Sequence, residues 1–135
     1  MSYAIMPTRS GDIAYTDAGH GPVALFVHGV ATSSYLWQGV IAEVHDVRRC
    51  IALDLPLHGR SPAAADQDFS LGGLADVVAD FCRALDLSAV DLVANDTGGA
   101  IAQIFAARNP ERVRTLALTN CEVHDNVPAE AFAPT

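Results

Sequence analysis

Uninterrupted apolar runs alternate along this chain with stretches of helical period. Val23-Ala24-Leu25-Phe26-Val27 and Cys50-Ile51-Ala52-Leu53 read as strands covered on both faces. Val90 to Ala94 and Thr115 to Thr119 make two more strands. Between them, Thr32-Ser33-Ser34 caps a helix with apolar positions Leu36, Trp37, Val40, Ile41 and Val44. Ser70 caps a second helix to about Leu85, with Leu74, Val77, Val78, Phe81 and Leu85 on one face. A third helix runs from Gly98 to Arg108 and stops at Asn109-Pro110. Residues 1–20 read as a β-hairpin turning at Ser10-Gly11-Asp12. Strands alternating with helices predict an α/β fold, a mostly parallel sheet with flanking helices, with no internal repeat and no second domain. In such sheets ligands sit at the carboxyl ends of the strands. There the pattern brings together His28 to Ala31, Asp54 to Ser61, and Asn95-Asp96-Thr97.

The last of these segments carries the sharpest signal. An apolar run ends in Asp96, and Thr97-Gly98-Gly99 opens a helix at once. This strand, turn and helix, with small residues Ala94, Gly98 and Gly99 about the apex, has the layout of the nucleophile elbow G-x-S-x-G. Aspartate replaces the serine and alanine the first glycine. A second reading makes Asp96 an ordinary turn residue capping the helix at Gly98.

Composition trims the function classes. Of 135 residues, 50% are hydrophobic, so a packed core is expected rather than disorder. No apolar run approaches the roughly 20 residues of a membrane span. The first residues lack a basic region followed by an apolar stretch, which argues against a secretory leader. Three cysteines, Cys50, Cys82 and Cys121, have no metal-ligand spacing and read as free thiols in a reducing cytoplasm. The net charge of −8 argues against nucleic acid or an anionic membrane as partner. All eight cations are arginine, and with so much alanine this suggests a GC-rich bacterial gene. There is no phosphate loop and no dinucleotide fingerprint, so neither a cofactor nor a metal is implied.

Taken together, the motifs resemble the α/β-hydrolase fold. Tyr15-Thr16-Asp17-Ala18-Gly19, Pro22 and Phe26-Val27-His28-Gly29 are similar to that family's opening. Asp54-Leu55-Pro56, Gly59 and Ser61 resemble its D-x-P-G-x-G-x-S loop, with Leu57 in place of the first glycine. Gly98 to Val113 is similar to the helix after the elbow and its x-P-E-R-V ending. An aspartate at the elbow resembles the haloalkane dehalogenase and epoxide hydrolase branch. So does Thr32-Ser33-Ser34-Tyr35-Leu36-Trp37, which is similar to the dehalogenase segment after His-Gly. Many dehalogenases hold the halide with Asn after His-Gly and Trp after the nucleophile. Val30 and Thr97 stand there in this chain, and Ala31 and Thr97 depart from the epoxide hydrolase pattern.

The resemblance implies roles. Asp96 would attack a saturated carbon of a small-molecule substrate and form an alkyl-enzyme ester. The backbone N–H groups of Val30 and Thr97 would hold the oxyanion when water cleaves that ester. His28 and Gly29 would be structural, Asp54 would organise its loop, and Gly98 and Gly99 would complete the elbow. His58 is expected exposed. Glu122 is a candidate acid, beside the alternative of a solvated carboxylate at a strand end. The family order is nucleophile, acid, then a distant histidine, and only His124 follows Asp96. The chain therefore resembles the N-terminal portion of such a hydrolase, with residues 1–121 belonging to the core and 122–135 beginning the cap. On that reading the last strand is an edge, and the 135-residue piece is marginally stable or aggregates, and has no turnover. A competing class is a non-catalytic hydrolase-fold protein that binds a small ligand or a partner chain. Nothing in the sequence sets the oligomeric state.

Overall fold

The computed structural model describes residues 3–121. Strands β1 (Tyr3–Thr8) and β2 (Gly11–Ala18) form the expected hairpin, followed by β3 (Val23–Val27). A 3₁₀ helix (Ser34–Trp37) runs into α1 (Gln38–Val44), and β4 (Arg49–Leu53) returns to the sheet. Then come α2 (Leu71–Ala84), β5 (Val90–Asn95), α3 (Thr97–Arg108), a 3₁₀ turn (Pro110–Arg112) and β6 (Val113–Thr119). The sheet order is β1-β2-β4-β3-β5-β6. Pairing is antiparallel for β1/β2 and β2/β4, and parallel for β3/β4, β3/β5 and β5/β6. This is the mostly parallel α/β sheet that the pattern predicts.

Strand alternation divides the core in two. Ile13, Tyr15, Leu25, Val27, Ile51, Leu53, Leu92 and Ala94 face α2 and α3, where Val77, Val78, Phe81, Ile101 and Phe105 pack on them. The Tyr15 ring meets Phe81 edge-on at 5.3 Å. On the other face Ala24, Phe26, Cys50 and Ala52 pack under Trp37 and Ile41, with Phe26 and Trp37 centroids 5.1 Å apart. Strands β3 and β4 are thus buried on both sides, as their unbroken apolar runs require.

Two helical expectations need adjustment. Ser33 does cap the first helix, its hydroxyl accepting the Tyr35 N–H, but the first turn is 3₁₀. The buried stripe is Trp37, Ile41 and, in part, Val44, while Leu36 and Val40 are 43% and 47% exposed. A stripe at i, i+4 and i+7 is narrower than the apolar residues suggested. Helix α2 matches: Ser70 accepts the Gly73 N–H, and Leu74, Val77, Val78 and Phe81 are buried. Among the described residues β6 pairs with β5 alone and forms the sheet edge, with Leu116 39% exposed. The elbow strand β5 therefore lies second from an edge. No helix among the described residues is long and apolar enough to cross a membrane.

Candidate active site

The apolar register of β5 ends at Asn95, and the chain turns through Asp96 into α3 without a linker. Asp96 has φ 55° and ψ −132°, a region that favours glycine. Such a backbone costs about 1–3 kcal/mol and persists only where its surroundings enforce it. Here they do. The Asp96 N–H donates to Thr119 O at 3.2 Å, and its carbonyl accepts the Gly99 N–H at 2.9 Å. The elbow is pinned to β6 on one side and to the first turn of α3 on the other.

The carboxylate is not used to hold the helix. An aspartate serving as a cap would accept an N–H of that first turn. Asp96 makes no such side-chain bond. The capping interpretation thus loses its required contact. One carboxylate oxygen receives the Thr97 hydroxyl at 3.4 Å, a long hydrogen bond. That same oxygen, Oδ2, faces Gly29: a Cβ there would lie 2.6 Å from Asp96 Cβ and 2.7 Å from Oδ2. Any larger residue at position 29 would displace Asp96.

The small residues around the apex have the same steric origin. A Cβ on Gly98 would collide with His28 O and lie 2.7 Å from Val27 O. A Cβ on Gly99 would meet the Cys121 side chain. Helix α3 can start directly above the end of β3 only because position 98 is glycine, while Gly99 makes room on the side of Cys121. That close approach brings the His28 loop and the elbow together.

His28 is fully buried. Its Nε2 accepts the Leu55 N–H at 3.0 Å, so Nδ1 carries the proton and donates it to Gly29 O at 2.7 Å. Both nitrogens are engaged, which leaves no lone pair for a substrate proton. Burial holds its pKa below the ordinary 6.5; the Gly29 hydrogen bond opposes this, and the neighbouring His58 adds to it. His58 is half-buried rather than exposed. Its ring packs 5.0 Å from that of His28, and its Nδ1 lies 3.0 Å from Pro56 O.

Asp54 is also fully buried and behaves as a loop organiser. Oδ1 accepts the Ser34 N–H at 2.7 Å, and Oδ2 accepts the Arg60 N–H at 3.1 Å. Its carbonyl accepts the Ser61 hydroxyl, which in turn accepts the Ala14 N–H at 2.8 Å. One carboxylate so ties the loop after β4 to the 3₁₀ helix. Leu57, which stands at the glycine position of the loop motif, has φ 67°.

Val30 is 61% exposed in the turn after Gly29. Thr97 is the first residue of α3, so its N–H has no intrahelical acceptor. Glu122, His124 and the whole segment 122–135 lie outside the described residues. Two features escaped the sequence analysis. Asn95 accepts the Thr119 hydroxyl at 2.9 Å, another tie between elbow and β6. At the other end of β5, Asp91 accepts from Arg48, Arg114 and Thr115, and its pKa falls to about 2, chiefly through the Arg114 hydrogen bond. The β5/β6 register sets Asp91 opposite Thr115, Arg48 arrives from the turn before β4, and no local motif announces the cluster.

Comparison with known proteins agrees with this geometry. Residues 22–134 match the alpha/beta hydrolase fold family. A haloalkane dehalogenase of Mesorhizobium japonicum is 41% identical over 113 residues, 83% of this chain and 36% of that protein. One of Agrobacterium fabrum is 37% identical over 112 residues, again 83% and 36%. The chain thus spans little more than a third of the length of these curated relatives. The crystal structure of haloalkane dehalogenase DbeA from Bradyrhizobium elkani matches with TM-score 0.83 at 34% identity, over 89% of this chain and 42% of that one. A bacterial membrane phospholipase A matches with TM-score 0.86 at 31% identity, over 90% and 40%. Two chemistries on one scaffold mean that residues at the site, not the fold, must choose between them.

Proposed function

The chain belongs to the alpha/beta hydrolase fold family, and we propose that it carries the nucleophile portion of an enzyme hydrolysing a small alkyl halide or epoxide through Asp96. The observation that carries this reading is a carboxylate held on strained backbone at the elbow and spared from capping its helix. Similarity to haloalkane dehalogenases supports the halide as first choice.

In the first step an Asp96 carboxylate oxygen attacks the substrate carbon, and the carbon–halogen or carbon–oxygen bond breaks with its electron pair leaving on the halide or alkoxide. The product is an alkyl ester on Asp96. Water then attacks the ester carbonyl carbon, and the oxyanion formed rests on the N–H groups of Val30 and Thr97. Collapse releases the alcohol and restores the carboxylate with one oxygen from water. A histidine other than His28 must take the proton of that water, because both His28 nitrogens are occupied. Attack on an ordinary carboxylic ester would instead give a reactive mixed anhydride, which disfavours lipase chemistry for this elbow. Residues 1–121 form the N-terminal part of the catalytic core, and 122–135 begin the cap.

A single turnover in heavy-oxygen water, followed by mass analysis of the Asp96 peptide, tests the reading. Heavy oxygen in Asp96 reports a completed cycle. A retained alkyl group reports an ester that no base has cleaved, the result expected of the 135-residue chain alone. A peptide carrying neither overturns the mechanism. Halide release against diol formation separates the two substrate classes.

A further inference from the structure

The described sheet has two edges, β1 and β6, and only one of them is blocked. Strand β1 carries Pro7, which has no N–H to offer a further strand. Strand β6 has no such block. Its pairing with β5 skips Arg114 and then runs in regular register from Thr115 to Thr119. That stretch contains no proline and no charge, and all of it but Leu118 is exposed. Among the described residues nothing pairs with its outer side.

The register shows which backbone groups are open. Thr119 O accepts the Asp96 N–H, so the Thr119 backbone faces β5. In a parallel pair the N–H and C=O of one residue point the same way, and alternate residues point the other way. Thr115, Ala117 and Thr119 therefore bond to β5, while Leu116 and Leu118 turn their N–H and C=O outward. Their side chains stand level with Leu92 and Ala94 on the face of α2 and α3, where Leu118 packs and Leu116 is exposed.

Thr115-Leu116-Ala117-Leu118-Thr119 also reads the same in both directions. An antiparallel neighbour of identical sequence, related by a two-fold axis at Ala117, sets leucine against leucine and threonine against threonine. Leu116 then lies opposite Leu118 of the second copy, and each such pair exchanges both of its outward hydrogen bonds. An axis between two residues would set outward backbone against inward backbone and form none. An axis at Leu116 would need the irregular Arg114 opposite Leu118. Charge permits the approach: the chain carries −8, but β6 has no acid, and its one cation, Arg114, is paired with Asp91. We infer that β6 docks edge to edge on β6 of a second copy, making a two-fold dimer with one continuous sheet. Because Thr119 holds the Asp96 N–H, the contact also backs the strand that supports the elbow.

Sedimentation velocity and hydrogen exchange on the 135-residue chain test the contact. A monomer–dimer equilibrium is expected, with a dissociation constant of about 10–100 μM, as suits a small interface. The Leu116 and Leu118 amides are expected to exchange at least threefold more slowly at about 500 μM than at about 2 μM. Those of Ala117 and Thr119 are expected to be slow at both concentrations. Ala117→Asp, which sets two carboxylates against each other on the axis, is expected to weaken the dimer at least tenfold. Ala117→Cys is expected to form a disulfide with itself on mild oxidation, because residues on the axis lie about 4.5 Å apart at Cα. Leu116→Cys is not, since its two copies lie beyond the roughly 7 Å that a disulfide spans. A monomer at about 500 μM overturns the proposal. So do slow Leu116 and Leu118 amides at about 2 μM, the sign that residues 122–135 cover the edge. A dimer that Ala117→Asp leaves intact, or a cross-link at 116 in place of 117, also overturns it. Growth beyond the dimer does the same, because this pairing uses up the open edge.

Discussion

Strand β5 carries an aspartate near its start and another just past its end, and the protein treats the two in opposite ways. Asp91 is surrounded: two arginines and a threonine hydroxyl converge on it, and its pKa drops to about 2. Its backbone is ordinary strand. Asp96 sits on strained backbone with one long contact from Thr97 and no cap bond. The strand places them five residues apart, about 16 Å along its axis. Residue type is the same, so the partners decide the role. A carboxylate whose lone pairs are all engaged holds the sheet together; one left with lone pairs to spare can attack.

Exchanging the two positions breaks the comparison most directly. Asp96→Asn is expected to abolish alkyl-ester formation outright, because an amide is not a nucleophile for a saturated carbon. Stability should change by no more than about 0.5 kcal/mol, since asparagine tolerates positive φ and no cap bond is lost. Mass analysis of the intact chain after incubation with an alkyl bromide, beside a urea melt, reads both quantities. An Asp96→Asn chain that still gains the alkyl group would place the nucleophile elsewhere.

Asp91→Ala should do the reverse. Ester formation at Asp96 persists, while stability falls by about 1–2 kcal/mol at neutral pH. That is below the full value of charged hydrogen bonds because both guanidinium groups stand partly in water. The pH dependence has a definite sign. A folded pKa of about 2 against an ordinary 3.8 means that the unfolded chain binds more protons between these values. The contribution of Asp91 is therefore complete above about pH 4 and is lost as pH falls toward 2. Urea midpoints from pH 5 to 2 should drop less steeply for Asp91→Ala than for the parent.

His28 sharpens the contrast in a different pH window. Its folded pKa lies below 6.5, so between the two values the unfolded chain again binds the extra proton. Stability is expected to decline as pH falls through 6.5, well above the Asp91 window. The Leu55 N–H would then lose its acceptor, since protonated imidazole has none. A urea midpoint at pH 5.5 that equals the one at 7.5 would contradict a buried neutral His28. The effect is smaller than that of Asp91→Ala, because protonation can be met by local opening of the loop.

How much of this the sequence disclosed depends on how local each cause is. The elbow was legible because strand, aspartate and two glycines are consecutive, and the glycines answer a steric demand of that turn itself. The Asp54 loop was legible for the same reason, its ties to Ser34 aside. His58 was misjudged as exposed because its packing partner, His28, arrives from another strand. Leu36 and Val40 stand outside the buried stripe because a 3₁₀ first turn narrows it, and apolar character alone does not reveal phase. The Asp91 cluster joins the turn before β4, β5 and β6, and no single stretch of chain contains it.

Leu57 supplies the smallest effect and the control for the whole contrast. Like Asp96 it has positive φ, 67°, but its side chain is 72% exposed. If strain marked function by itself, relieving it at Leu57 would impair the chemistry. Left-handed backbone costs a residue with a Cβ about 1–2 kcal/mol. Glycine escapes that cost but loses about 0.5–1 kcal/mol through greater freedom in the unfolded chain. Little apolar burial is at stake at so exposed a position. Leu57→Gly is therefore expected to stabilise the protein by about 0.5–1 kcal/mol, read from the urea midpoint at constant slope, and to leave ester formation on Asp96 unchanged. Loss of ester formation in this variant would mean that the loop after β4 reaches the substrate. Strain at position 57 would then belong to the site as strain at position 96 does.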